Sequence, residues 1–140
     1  MISKLTPNFF FALIISCSYM LTAVQADEET PLGETMGDMN VYFKKMRKTD
    51  DAKEGVELAR KAQATCLKSL EYIPAMTEKV DNAEQKAKDI ADYNRLVGLT
   101  YVGFCRIEMA FLNSDLEEAA DIIDELRKLK KEGHEKYIEE

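Results

Sequence analysis

Apolar residues recur at intervals of three and four along most of the chain beyond Pro31, the spacing of one face of an α-helix. Leu32, Met36, Met39, Phe43 and Met46 form the first such stripe and predict a helix from about Pro31 to Lys48. Val56, Ala59, Ala62, Cys66, Leu70 and Ile73 mark a second helix that ends before Pro74. Ile90, Tyr93, Val97, Thr100, Phe104, Ile107 and Phe111 mark a third and longest helix, from about Asn82 to Leu112. Leu116, Ala119, Ile123 and Leu126 give the inward face of a fourth, from Leu116 to about Ile138. Pro74 to about Asp81 lacks an apolar period and is predicted to be a loop.

The breaks carry turn and capping chemistry. Thr30 before Pro31, with Glu34 following, suits a helix start, because a hydroxyl can accept from an orphan amide and proline tolerates the first turn. Lys44, Lys45, Arg47 and Lys48 sit where the negative end of a helix dipole favours cations. Thr49-Asp50-Asp51 and Asn113-Ser114-Asp115, the latter followed by Glu118, are short polar links that force the helices they join to run antiparallel. The expected fold is all-α, an antiparallel up-down-up-down four-helix bundle.

The first 26 residues differ in kind. Lys4 is their one charge, an apolar run extends from Phe9 to Ile15, and Val24-Gln25-Ala26 precedes the acidic Asp27-Glu28-Glu29. This predicts a signal peptide at 1–26, cleaved after Ala26, and a single domain at 27–140. Two other fates are weighed. A retained anchor would be short for a membrane span. Lipidation at Cys17 would require the chain to turn polar there, whereas Tyr19-Met20-Leu21 stays apolar.

The chain has 26 acids against 19 bases, a net charge of −7, and loss of Lys4 with the leader makes it more acidic still. That balance disfavours nucleic acid and anionic membrane as partners and favours a soluble protein that meets a basic patch on another protein. A monomer is expected.

His134 is the only histidine, so any chemistry that needs imidazole must use it. At 100° per residue it falls in line with Leu116 and about 20° from Ile123, which predicts the buried face. On its own it reads as an end-of-helix residue, and Met36 on its own reads as core filling. Together they say more, because an up-down-up-down bundle brings the start of its first helix and the end of its last to the same end. A thioether and an imidazole on facing helices can serve as the two axial ligands of a haem iron.

Cys66 and Cys105, the cysteines beyond the leader, are expected to stay free thiols, their levels on antiparallel helices differing by roughly 12 to 22 Å at ~1.5 Å per residue. Glu117, Glu118, Asp121, Asp124 and Glu125 read as a solvated face, since a di-metal carboxylate site in a bundle needs two histidines. No nucleophile-base-acid set, glycine-rich phosphate loop or basic aromatic surface is present.

The run Asn113-Ser114-Asp115-Leu116-Glu117-Glu118-Ala119, then Asp124-Glu125-Leu126-Arg127 and Gly133-His134-Glu135-Lys136-Tyr137, resembles the soluble cytochromes b562. Glu34-Thr35-Met36-Gly37-Asp38-Met39-Asn40 is similar to that family's first helix, and Val102-Gly103 to a pair in its third. The resemblance covers nearly all of the chain beyond the leader. It implies a periplasmic electron carrier, not an enzyme, with one non-covalent b-type haem ligated by Met36 and His134. Tyr93, Val97, Met39 and Phe43 would wall the pocket, Lys130 would stand one turn before the histidine, and the partners would be redox proteins. Lys130 stands where arginine is common, and Val97 where a bulkier ring is. Covalent attachment would need a Cys-x-x-Cys-His run, which His134 lacks. Two other readings stay open: a haem-free exported bundle that binds a partner through a groove, and a five-coordinate haem sensor in which a gas displaces Met36.

Overall fold

The structure, a computed structural model, describes residues 30–138, so the expected leader, its cleavage point and Cys17 lie outside it. Among the described residues there are helices and no strands: α1 Pro31–Met46, α2 Ala52–Ser69, α3 Ala75–Glu78, α4 Ala83–Leu112 and α5 Leu116–Tyr137. The helix starts follow the capping chemistry of the sequence. The Thr30 hydroxyl accepts from the Gly33 amide at 2.9 Å, Asp51 accepts from Lys53 and Glu54, Asn82 from Gln85, and Asp115 from Glu118. Each satisfies an amide that the helix itself leaves without a partner.

The turn between α4 and α5 is tight. The Ser114 amide bonds to the Phe111 carbonyl and the Asp115 amide to the Ala110 carbonyl, both at 2.9 Å, and Ser114 sits at φ 56°. This is the paired closure of a helix C-terminus around a left-handed residue, with serine where glycine is usual.

α2 is the central element, packed along both α1 and α4, and α5 packs on α4. Contacts between α2 and α4 pair Arg60 with Glu108, Gln63 with Phe104, Cys66 with Val97 and Tyr93 with Ser69. Those between α4 and α5 pair Arg106 with Glu125 and Arg95 with Glu132. In both sets the residue number rises on one helix as it falls on the other. Ala59, Ala62 and Cys66 are fully buried on α2, and Phe104, Ile107 and Phe111 of α4 fill the space these small side chains leave. Ala119, Ile122, Ile123 and Leu126 close the core from α5.

Four differences from the sequence reading have physical causes. The segment predicted as a loop contains α3, a single turn that buries Thr77. α2 stops at Ser69, where the Glu71 and Tyr72 amides turn back to Lys68 and Ser69, so Leu70 and Ile73, assigned to the stripe, are exposed at 42% and 41%. Leu116, at the outset of α5, is exposed at 41% because no neighbour reaches beyond the turn to cover it, and Ile122 is buried beside Ile123. Cys66 and Cys105 are free thiols, but the register brings them nearer than the loop lengths suggest, and the charge Cys105 can carry adds to the burial that pushes the Cys66 thiol up to about 12.

Gly103 is buried where α5 crosses α4, and a β-carbon there would run into the Leu126 side chain, whereas one at Gly98 would meet nothing within 4 Å. Gly103→Ala is therefore expected to cost about 1–3 kcal/mol through overpacking, and Gly98→Ala to stabilise by up to ~1 kcal/mol through helix propensity. Urea unfolding of the two variants, which should move the midpoint in opposite directions, checks both.

Candidate functional site

α1 and α5 flank the α2–α4 pair, and a cleft of about 630 Å³ lies between them. Asn40, Phe43, Lys44 and Arg47 form its α1 wall, while Arg127, Lys130, Lys131, His134, Glu135 and Ile138 form the other. That volume lies within the range of small-molecule and cofactor sites. A side-chain bond from Lys130 Nζ to Asn40 Oδ1 at 2.8 Å crosses the cleft. Burial lowers the pKa of Lys130 below that of an ordinary lysine, and the nearby Lys44 charge lowers it further.

The apolar stripe of α1 is unevenly covered. Met46 and Phe43 are buried, and the Phe43 ring meets Phe104 edge-on with centroids 6.4 Å apart. Leu32, Met36 and Met39 pack against the same core but remain partly open. The buried face predicted for His134 is not observed. The histidine lines the cleft but is exposed, like Leu116 with which it is in line, because the end of the bundle between α1 and α5 has no covering helix.

Of the residues singled out in the sequence, Phe43, Lys130 and His134 meet in the cleft. Met36 lies one turn before Asn40 on α1, as His134 lies one turn after Lys130 on α5. Tyr93 and Val97 do not line the cleft. They are buried on the α2 side of α4, where the Tyr93 hydroxyl donates to the Ser69 carbonyl at 2.9 Å and the Val97 carbonyl accepts from Cys66 Sγ at 3.4 Å. Tyr93 still reaches the site indirectly, since its ring supports that of Tyr137 edge-on at 5.7 Å, one turn beyond His134.

That last turn of α5 is clamped to α4 by a network that pattern reading missed. Asp92 accepts from Lys136 Nζ at 2.9 Å, from Arg95 at 2.7 Å and from the Tyr137 hydroxyl at 3.0 Å. Glu132 accepts from Arg95 at 2.9 Å and Lys136 at 3.0 Å. His134 sits between Glu132 and Lys136, the two charged α5 members of the clamp. Bonds from Lys136 and Arg95 hold the Asp92 carboxyl down to about 2, well below the usual aspartate value of 3.8. Asn40 was also missed as a bridge. The spacing of Asp92, Arg95, Glu132 and Lys136 gave a signal on each helix separately, but the register between helices was needed to join them.

No group of three or more histidine, cysteine or carboxylate side chains able to hold a bare metal ion occurs among the described residues. The cleft lining instead offers one imidazole, from His134, beside Phe43 and Ile138 and a rim of five cations, and the Met36 thioether lies one turn outside that lining. Half-covered apolar side chains, an aromatic wall and a cleft of cofactor size fit a flat, largely apolar group that carries carboxylates. No curated protein matches the chain. A family model described as Cytochrome b562 matches residues 31–137, nearly the whole of the described chain.

Because the folded pKa of Asp92 lies below its unfolded value, the stability it contributes is fully present above about pH 4 and is lost as pH falls through 3.8 toward 2. Asp92→Asn should lower the melting temperature at pH 7 and converge on the wild type near pH 2. Thermal melts followed by circular dichroism at the two pH values test this, and an equal deficit at both would exclude the ion network as its cause.

Proposed function

The chain belongs to the cytochrome b562 family, and from that premise we propose that it is a periplasmic electron carrier that holds one non-covalent b-type haem between Met36 and His134. The observation that carries the ligand assignment is the Lys130–Asn40 bond. In an up-down-up-down bundle α1 and α5 run antiparallel, so one turn back from Asn40 and one turn on from Lys130 lead in the same direction. Met36 and His134 then stand level on opposite walls.

When bound, haem supplies a one-electron couple that needs no proton or bond rearrangement in the protein. The residues of the chain do the rest. Met36 would offer a soft sulfur donor and His134 a nitrogen donor, a pair that suits electron transfer better than oxygen chemistry. Phe43, Met39 and Leu32 exclude water on the α1 side, and an apolar, thioether-ligated site has a raised reduction potential. Lys130, one turn before His134, would set positive charge against a carboxylate at the mouth. The Asp92 clamp fixes the turn that bears His134, with Tyr93 behind it through Tyr137, and Val97 backs the same core. His134 has no cysteines near it for covalent attachment, which makes the group exchangeable. We take the protein to act as a monomer in solution with redox proteins as partners.

Titration of the chain with haemin, followed by reduction with dithionite, tests the reading. Sharp low-spin bands saturating at one haem per chain are expected. Met36→Ala should convert the spectrum to a high-spin form while retaining haem, and His134→Ala should weaken binding by at least about tenfold, a loss of ~1.4 kcal/mol. A merely broadened spectrum of free haemin would exclude the electron-carrier function and favour a bundle that binds a partner without haem.

A further inference from the structure

Charge around the cleft runs against the charge of the whole chain. Lys44–Lys48 and Arg127–Lys131 hold eight cations in ten positions, with Met46 and Leu129 the exceptions and no carboxylate in either run. Far apart in sequence, the two runs share one cleft, to which Lys44, Arg47, Arg127, Lys130 and Lys131 all contribute. Arg127 meets Asp124 at 3.1 Å and Lys131 meets Glu135 at 3.5 Å. Lys44, Arg47 and Lys130 are in no ion pair among the described residues, and Lys44 acts on Lys130 through like charge. Helix polarity accounts for the first run, at the C-terminal end of α1. It does not account for the second, which lies in the middle of α5, where the dipole offers cations nothing.

We propose that this basic face at the mouth of the cleft is a docking surface for an acidic patch on a redox partner protein. The proposal rests on the haem reading for what passes between the two, but the surface itself does not depend on it. It reverses the expectation from net charge, which pointed to a basic partner. Size separates a protein from the other anions. Immediately N-terminal to the second run, α5 carries Glu117, Glu118, Asp121, Asp124 and Glu125. Glu118 and Glu125 pair with Arg106 and Asp124 with Arg127, which leaves Glu117 and Asp121 to oppose a lipid plane or nucleic-acid backbone that extends along the helix. A globular partner with a footprint of roughly 800 Å² can cover the basic face alone. Placing that face over the cleft would steer the partner to the place where an electron leaves.

The test uses a short polyglutamate peptide as a probe of the surface and ferricyanide as an anionic oxidant. In a titration of the isotope-labelled chain, the peptide should shift the amides of 44–48 and 127–131. Its affinity should fall at least about tenfold between ~20 and ~150 mM salt as screening grows. The triple variant Lys45→Glu, Lys48→Glu, Lys128→Glu, none of which lines the cleft, should lose this binding. Lys53→Glu, Lys61→Glu, Lys68→Glu on α2 makes the same change in net charge and should keep it. Oxidation of the reduced haem protein by ferricyanide should slow severalfold over that salt range despite the net charge of −7.

Peptide shifts elsewhere, or an oxidation rate that rises with salt, would overturn the proposal. So would tighter binding to phosphatidylglycerol vesicles than to the peptide, or salt-sensitive self-association in sedimentation, which would assign the face to a membrane or to a second copy. Because the titration needs no haem, binding at this face by a chain without a low-spin spectrum would sink the electron-carrier reading and leave the acidic-ligand surface standing.

Discussion

The close approach of α2 to α4 is the contact from which the remaining geometry follows. Phe111 seats against the α2 backbone at Gly55, where a β-carbon would run into its ring, and Phe104 and Ile107 are buried in one cluster with the small Ala59, Ala62 and Cys66. Two helices packed this tightly form a spine with two flanks. α1 takes one by packing on α2, and α5 takes the other by packing on α4. Neither outer helix has to touch the other to bury its own stripe. The cleft between them is therefore a product of how the core is filled. A core of uniformly large side chains would spread the central pair and alter this spacing, since interiors tolerate little free volume.

The two walls of that cleft are held by different means. Wall α5 is fixed to α4 by the Asp92 and Glu132 network and by the edge-on contact of the Tyr93 and Tyr137 rings. Each exposed ion pair alone would contribute little, but four charged groups and a tyrosine hydroxyl sharing partners lose less side-chain freedom per bond than separate pairs would. Wall α1 is seated by apolar contact that weakens toward its start, from fully covered Met46 to partly open Met36 and Leu32. Its direct tie across the cleft is the Lys130–Asn40 bond. The α5 wall is thus held mainly by polar bonds and the α1 wall mainly by apolar packing on α2.

Much of the fold was legible in periodicity and capping. The stripes of α1 and α4, and the caps at Thr30, Asp51 and Asp115, are local features, and a helix forms where local spacing and end chemistry agree. What was not legible depended on the relation between helices. Leu70, Ile73 and Leu116 keep helical spacing but lie where no neighbour extends, so the pattern continued past the burial. For His134, the angles to Leu116 and to buried Ile123 were right, and the inference failed because burial changes along α5 and no helix among the described residues covers its last turns on the cleft side. Phe43, Lys130 and His134 could be found because the family pattern joins distant positions. Asn40 and the Asp92 network could not, since ordinary polar residues acquire meaning only once the register sets them opposite one another. The one-turn α3 was hidden for a simpler reason: four residues are too few to show a period.

Burial of Cys66 has a consequence for the life of the chain. With its thiol pushed up to about 12, Cys66 stays protonated at neutral pH, and the thiolate is the form that attacks disulfides and oxidants. Before folding, the same sulfur is an ordinary reactive thiol. Packing of α2 against α4 is thus also a chemical quench, and in an oxidising compartment the hazard of mispairing is confined to the interval before the helices meet. A chain that folds quickly can keep an unpaired cysteine at the centre of its core. One that lingers unfolded in such a compartment would expose that same sulfur to mispairing for longer.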